Sequence, residues 1–287
     1  MQLRHIPREA LRHVRSVFEA AYIRHRRMTR GRPHTLPGRL VVSLTSYPPR
    51  FPTLDLTLRG LLGQDMAPDG VVLWIAHADR AQVPRRVEAL QAHGLTIRTC
   101  DDLKSYKSSV PSLMAYPDAF ILVAGDDVQY PKRWVRCFCE CYRHPREVLS
   151  QGARRIAMNG SGPAPYIQWT RLTHAADGEG IFPVGRGGTL YPPNCLSPEA
   201  TDMGKAMNLC PWGDDIWLYW MARRAETTHR MLAPAGKIRD WPGTGASSLW
   251  HTRNRDGGND AQIAAMVATY GWPGAPTEAP AVALQSA

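Results

Sequence analysis

Ala119-Phe120-Ile121-Leu122-Val123-Ala124-Gly125-Asp126-Asp127 is the stretch on which the reading of this chain turns. Its apolar run is rich in branched side chains and bounded by Gly125 and, further on, Pro131, which reads as a strand buried on both faces of a mostly parallel sheet. Two carboxylates therefore arrive at the carboxyl end of that strand, the edge at which open α/β sheets bind ligands. A carboxylate pair there can hold a divalent cation against the phosphates of a nucleotide. The same two residues also suit a polar turn capping the helix expected to start near Lys132.

Working outward, Leu40-Val41-Val42-Ser43-Leu44-Thr45 reads as a first strand, Pro52 to Leu62 as a helix and Val71 to Ala76 as a second strand. A helix near Pro84 to His93, a short strand Leu95 to Thr99 and a helix near Ser109 to Ala115 lead back to the opening stretch. Strands alternating with helices at such short intervals imply right-handed crossovers and an α/β architecture with a central parallel sheet and flanking helices. Beyond about residue 150 the periodicity weakens, and Gly, Pro and Trp become frequent, as expected where loops build a substrate-facing half. The chain from Gly274, rich in Pro and Ala, reads as a disordered tail.

At 287 residues and 44% hydrophobic content, the chain can bury a sizeable core and is not a disordered protein. No stretch approaches the roughly 18 consecutive apolar residues of a membrane span, and no apolar secretory core opens the chain, so a cytoplasmic protein is expected. The cysteines at 100, 137, 139, 141, 195 and 210 lack paired zinc spacing and read as buried thiols.

The formal charge of +10 is concentrated at the start, where residues 1 to 33 carry nine arginines against Glu9 and Glu19. Leu11, Val14, Phe18 and Ala21 fall at amphipathic spacing between those charges. A basic amphipathic helix can lie on an anionic membrane surface at the inner face of the cell membrane, or pack on its own domain with a solvated basic face. Residues 1–38 are accordingly set apart as a basic helical extension. No nucleic-acid motif follows it, so no nucleic-acid partner is expected.

Five stretches occur in order: Val42-Ser43-Leu44-Thr45-Ser46-Tyr47-Pro48-Pro49-Arg50, Asp101-Asp102-Leu103-Lys104-Ser105-Tyr106-Lys107, Asp126-Asp127-Val128-Gln129-Tyr130-Pro131, Gly187-Gly188-Thr189-Leu190-Tyr191-Pro192-Pro193 and Gly213-Asp214-Asp215-Ile216-Trp217. Together they resemble bacterial nucleotide-sugar glycosyltransferases of the GT-A fold, similar to glycosyltransferase family 2 and to enzymes of surface-polysaccharide assembly. The resemblance spans roughly residues 40 to 271, within a domain placed at 39–273. It implies a Rossmann-like GT-A domain and an inverting, metal-dependent glycosyltransferase of the hexosyltransferase class. The implied partners are a nucleotide-diphosphate sugar, a UDP-sugar in first place, and a glycan or glycolipid acceptor.

By that resemblance the metal, Mn²⁺ or Mg²⁺, falls to Asp127 and Asp126, with His251 a further ligand. Relatives usually carry Asp where this chain has Gly125. Thr45, Tyr47, Arg50, Lys107, Asp126 and Gly188 are the expected donor-binding residues, with Lys104 a further cation near the diphosphate. Asp215, at an expected helix start, is the base that takes the acceptor's proton. Asp214 would meet the acceptor or the donor sugar and Trp212 the acceptor; Tyr166, Trp169 and Trp212 could form a sugar-stacking floor, although aromatics in this number are more often core. Three other readings stay open on the residues alone: a non-catalytic nucleotide- or carbohydrate-binding relative, a sugar-1-phosphate nucleotidyltransferase, and a membrane-surface adaptor that rests on the basic N-terminus.

Overall fold

A computed structural model describes residues 18, 20–25, 27–160, 162–241, 244 and 257–273. His251, the tail from Gly274 and most of the expected N-terminal helix lie outside the described residues.

The first four sheet strands lie where the apolar runs place them: β1 (Leu40–Thr45), β2 (Gly70–Ala76), β3 (Leu95–Cys100) and β4 (Phe120–Val123). Helix α1 (Phe51–Leu62) joins β1 to β2, α2 (Val110–Ala115) precedes β4, and α3 (Trp134–Cys141) follows it. The expected helix near Pro84 to His93 is a short α-turn, Arg85–Glu88, running into a 3-10 turn, Ala89–His93. Gly94 ends it at a φ of +99°, the left-handed conformation that suits glycine at a helix end.

Past residue 146 the chain does more than build loops. It adds β5 (Glu147–Ser150), β6 (Thr189–Tyr191) and β7 (Thr228–Met231), completing a seven-stranded sheet of order β7-β5-β6-β4-β1-β2-β3. Only β6 runs against its neighbours; β1 pairs in parallel with β2 and β4, β2 with β3, and β7 with β5. The fold is thus mixed α/β with a mostly parallel sheet and flanking helices, the GT-A/Rossmann-like layout expected from the sequence.

Both faces of the sheet are covered, which is why its central strands carry no polar alternation. Leu40, Val42 and Leu44 face a core shared with Leu54 and Leu58 of α1 and Phe138 of α3. Val41, Ile121 and Val123 face a second core shared with Trp217, Trp220 and Met221 of α4 (Asp214–Arg224) and Met266 of α5 (Gly258–Tyr270). Each such large side chain contributes roughly 1.5–3 kcal/mol on burial.

Residues 20–25 are helical and pack on α1. Ile23 is buried against Leu56 and Trp241, and Arg24 Nε bonds Asp55 Oδ2 at 2.8 Å. Arg86 bonds the other oxygen of Asp55 at 3.0 Å, so this buried carboxylate is held by two guanidinium groups. Among the described residues, no helix is long and apolar enough to cross a membrane.

Candidate functional site

The strand order reverses at β1: the chain moves outward through β2 and β3, then returns to place β4 on the other side of β1. Loops leaving β1 and β4 therefore diverge and open a crevice at the strands' carboxyl ends, the place where such sheets bind ligands. A cleft of about 700 Å³ lies there, and its walls include Thr45, Arg50, Lys107, Asp127, Trp212 and Asp215.

One wall is built by the loops after β1 and β4. Pro48–Arg50 form a 3-10 turn leading directly into α1, which holds Arg50 at the cleft. Its Nη1 lies 2.8 Å from Asp126 Oδ1 and 2.7 Å from Asp127 Oδ2. Ser46 donates its hydroxyl to Asp126 Oδ2 at 2.6 Å. The loop itself is pinned from below: Thr57 Oγ1 of α1 donates to the Asp126 or Val128 carbonyl, and Trp241 N–H donates to the Asp127 carbonyl at 2.9 Å. Burial pushes the Asp126 carboxyl up, against the opposing pull of Arg50 and Ser46. Burial disfavours the Arg50 charge, but Asp126 and Asp127 outweigh it and hold the guanidinium above its ordinary value.

Segment 104–108 reaches the cleft because two buried serines tie it to the sheet. Ser43 of β1 donates to the Ser108 carbonyl at 2.6 Å and its Oγ lies 2.7 Å from Ser112 Oγ. Lys107 is buried and bonded to Asp102, whose pKa that bond lowers. Lys104, at a φ of +54°, sets its ammonium 3.8 Å from the centre of the Trp212 ring.

The opposite wall is the N-terminus of α4. Asp215 Oδ2 accepts the Gly185 N–H at 3.1 Å, and Asp214 stands beside Ser105. Burial raises both carboxyls above the ordinary range, and the charge of Asp214 raises Asp215 further. Two acids in one half-closed site cannot both ionise freely, so the pair holds a proton at pH values where an exposed Asp has lost it.

Of the candidate residues named from the sequence, Thr45, Tyr47, Arg50, Lys107, Asp126, Asp127, Trp212, Asp214 and Asp215 all line this cleft. Gly188 is different. Its missing side chain faces Trp134 rather than the cleft, and the close approach to Asp215 is made by Gly185. Tyr166 and Trp169 belong to the second core, packed with Phe182, because their rings fill the space between sheet and α4. They form no sugar-stacking floor. His251 lies outside the described residues. Thr45 spends its hydroxyl on the Trp74 carbonyl at 2.8 Å.

The sequence reading missed Ser46, Arg186 and Thr189. Arg186 sits in the Gly185–Gly187 turn and bonds Asp240 at 2.6 Å; a cation within a glycine run was the available signal. Thr189 Oγ1, at the cleft wall, is buried with no hydrogen-bond partner among the described residues. A bound molecule or an ordered water could supply one.

The donor set suits a hard divalent cation, being carboxylate oxygens with a guanidinium already standing between them. No group of three or more His, Cys, Asp or Glu side chains converges among the described residues. A cation here would accordingly rest on Asp127 and Asp126 and complete its shell from ligand oxygens and water, as magnesium sites commonly do.

No protein-family profile and no curated protein matches the chain. Several solved structures align with it in part. TarS from S. aureus in complex with UDP-GlcNAc aligns at a TM-score of 0.47 and 14% identity, over 73% of this chain and 61% of that one. The inositol-1-phosphate CTP transferase from T. maritima aligns at 0.40 and 9% identity, over 75% and 94% of the two chains. The mannosyltransferase PcManGT from Pyrobaculum calidifontis, in complex with GDP-Man and Mn²⁺, aligns at 0.31 and 14% identity, over 48% and 44%. These likenesses assign no substrate or reaction to this chain.

Proposed function

We propose that this protein is an inverting glycosyltransferase that moves a sugar from a nucleotide-diphosphate sugar, a UDP-sugar in first place, to a glycan or glycolipid acceptor in surface-polysaccharide assembly. One observation carries the reading: two carboxylate pairs, Asp126-Asp127 and Asp214-Asp215, line one cleft at the switch point of the sheet, on opposing walls and in different electrostatic settings. The first pair is held with a cation; the second is crowded, so its carboxylates bind a proton more readily than an exposed Asp does. That division suits a reaction in which negative charge grows on a leaving diphosphate at one end while a hydroxyl loses its proton at the other.

Within this reading the loop after β1 receives the nucleotide, with Tyr47 positioned to stack and Arg50 to meet phosphate. Lys107, held by Asp102, adds fixed positive charge. A bound Mn²⁺ or Mg²⁺ at Asp127 and Asp126 would act as a Lewis acid towards the diphosphate. Asp215 takes the acceptor's proton at its carboxylate. The Gly185 N–H orients that carboxylate and favours its ionised form, and Asp214 and Trp212 flank the acceptor. The arginine-rich N-terminus would add peripheral contact with an anionic membrane, and residues 20–25 would tie that contact to α1.

Calorimetry with UDP, GDP and CDP in the presence of Mn²⁺, followed by single-turnover transfer to saccharide acceptors, tests the proposal. Nucleotide binding with sugar transfer supports it. Pyrophosphate release from a nucleoside triphosphate and a sugar 1-phosphate would replace it with nucleotidyl transfer. Binding without either reaction would mark a non-catalytic relative.

A further inference from the structure

We propose that Arg50 occupies the cation position of the Asp126-Asp127 pair and must be displaced before a divalent cation can bind, so that cation and diphosphate binding become mutually dependent through this one side chain. The second half of the proposal rests on the functional reading above; the first half does not.

Arg50 Nη1 lies within hydrogen-bond distance of one oxygen of each carboxylate, and only 12% of the Arg50 side chain is exposed. The second oxygen of Asp126 is engaged by Ser46 at 2.6 Å. A divalent cation approaches a carboxylate oxygen to roughly 2.0–2.6 Å. It cannot share the space between Asp126 and Asp127 with a guanidinium that already fills it, and the two positive charges repel. Cation entry therefore requires Arg50 to leave.

Leaving is costly unless the guanidinium finds another anion, because it would give up two close carboxylates in a largely enclosed site. A diphosphate is the anion whose oxygens match the planar fork of arginine. The motion needed is confined to the side chain. Pro48 and Pro49 stiffen the turn, and the Arg50 N–H is bonded to the Tyr47 carbonyl at 2.9 Å. The Tyr47 ring, 5.8 Å from the guanidinium carbon, offers a face along which it can swing.

The remaining charges make the dependence mutual. Residues lining the cleft include six carboxylates against four cationic side chains, a formal charge of −2 with all ten ionised and less negative while the Asp214-Asp215 pair holds a proton. Lys107 is bonded to Asp102 and Arg186 to Asp240, so neither offers an unengaged charge to an incoming anion, and the Lys104 ammonium lies over the Trp212 ring. A diphosphate arriving alone meets net negative charge; a cation arriving alone meets Arg50. Each removes the obstacle to the other, which is positive coupling and must be reciprocal.

Titrating the full-length protein with Mn²⁺, and following loss of the free-ion electron paramagnetic resonance signal, reads the competition with no nucleotide present. Arg50→Gln should bind Mn²⁺ about tenfold or more tightly than the parent. Asp127→Asn added to that variant should remove the gain. Arg50→Lys, which keeps a charge but cannot bridge both carboxylates, should fall between parent and Arg50→Gln, and decides the matter if Arg50→Gln fails to fold. Mn²⁺ affinity in either folded variant no higher than in the parent would overturn the proposal. In the parent, UDP should tighten Mn²⁺ binding and Mn²⁺ should tighten UDP binding by the same factor. UDP binding in EDTA as tight as in Mn²⁺ would overturn the coupling. Failure of UDP, GDP and CDP to bind at all would instead overturn the functional reading, leaving the Mn²⁺ comparison to decide the competition alone.

Discussion

The indole of Trp134 fills the volume that a side chain at Gly188 would need: a Cβ built there lies 2.4 Å from Trp134 Cζ2. Trp134 is fully buried and donates its Nε1–H to the Gly187 carbonyl at 2.8 Å. The turn before β6 is thereby clamped onto α3, and the same turn supplies the Gly185 N–H that meets Asp215. A packing contact in one core thus sets the position of a donor in the cleft.

Gly188→Ala should therefore destabilise the fold by about 1–3 kcal/mol, since the added methyl collides with a rigid ring and the position has a φ of +89°. Urea unfolding followed by tryptophan fluorescence measures this. An unchanged midpoint would mean that the ring can move aside without cost.

Asp215→Asn keeps the size of the side chain but cannot take a proton, so turnover should fall by roughly 10²- to 10⁴-fold with donor affinity unchanged. Because burial and Asp214 raise the Asp215 carboxyl, the parent's kcat/KM should rise with pH through a limb above the ordinary carboxylate range. Asp214→Asn removes the neighbouring negative charge, lowers the Asp215 pKa and should move that limb to lower pH. A limb that stays in place would separate the two carboxylates electrostatically.

His229 is buried, stacked on Tyr219 with ring centres 4.8 Å apart, and burial together with the Arg223 charge lowers its pKa to about 3. In the unfolded chain it titrates near 6.5, so between those values the unfolded state holds the extra proton and acid favours unfolding. The stability lost through this residue at pH 5 is about 2 kcal/mol. His229→Phe retains a ring and should flatten the pH dependence between pH 7 and pH 5 by that amount, as read by urea unfolding at both values.

Glu147 and Arg230 form a buried bidentate pair, Nε to Oε1 at 2.8 Å and Nη2 to Oε2 at 2.7 Å, across the β5–β7 ladder. Glu147→Gln leaves the buried Arg230 charge to Asp177, 3.7 Å away and largely exposed, so it should cost up to about 3–5 kcal/mol. Replacing both by Met should cost far less. Chemical denaturation of the single and double variants completes the cycle, and equal losses in both would show that packing rather than charge holds this edge.

Glu147, His229 and Arg230 also explain which strands could be read in advance. β1 runs from Leu40 to Thr45, as its apolar pattern predicts, because a strand covered on both faces must be apolar throughout. β5, β6 and β7 are three or four residues long, and β5 and β7 carry charged or imidazole side chains. Nothing local marks them as strands. They form because Glu147 and Arg230, far apart in the chain, satisfy each other, and because β6 finds register with both β4 and β5.

The sequence by itself determined the parallel half of the sheet, the placement of two carboxylates at the end of β4 and the start of α4 at Asp214-Asp215. Those features depend on local patterning, namely apolar runs, turn residues and helix starts, that neighbouring residues impose on one another. Only the tertiary structure decided that Arg50 stands between Asp126 and Asp127, that Gly188 serves Trp134, and that Asp214 and Asp215 share a crowded wall that raises their pKa values. Charge pairing and burial act through space between residues brought together by the sheet order, and no local pattern records them.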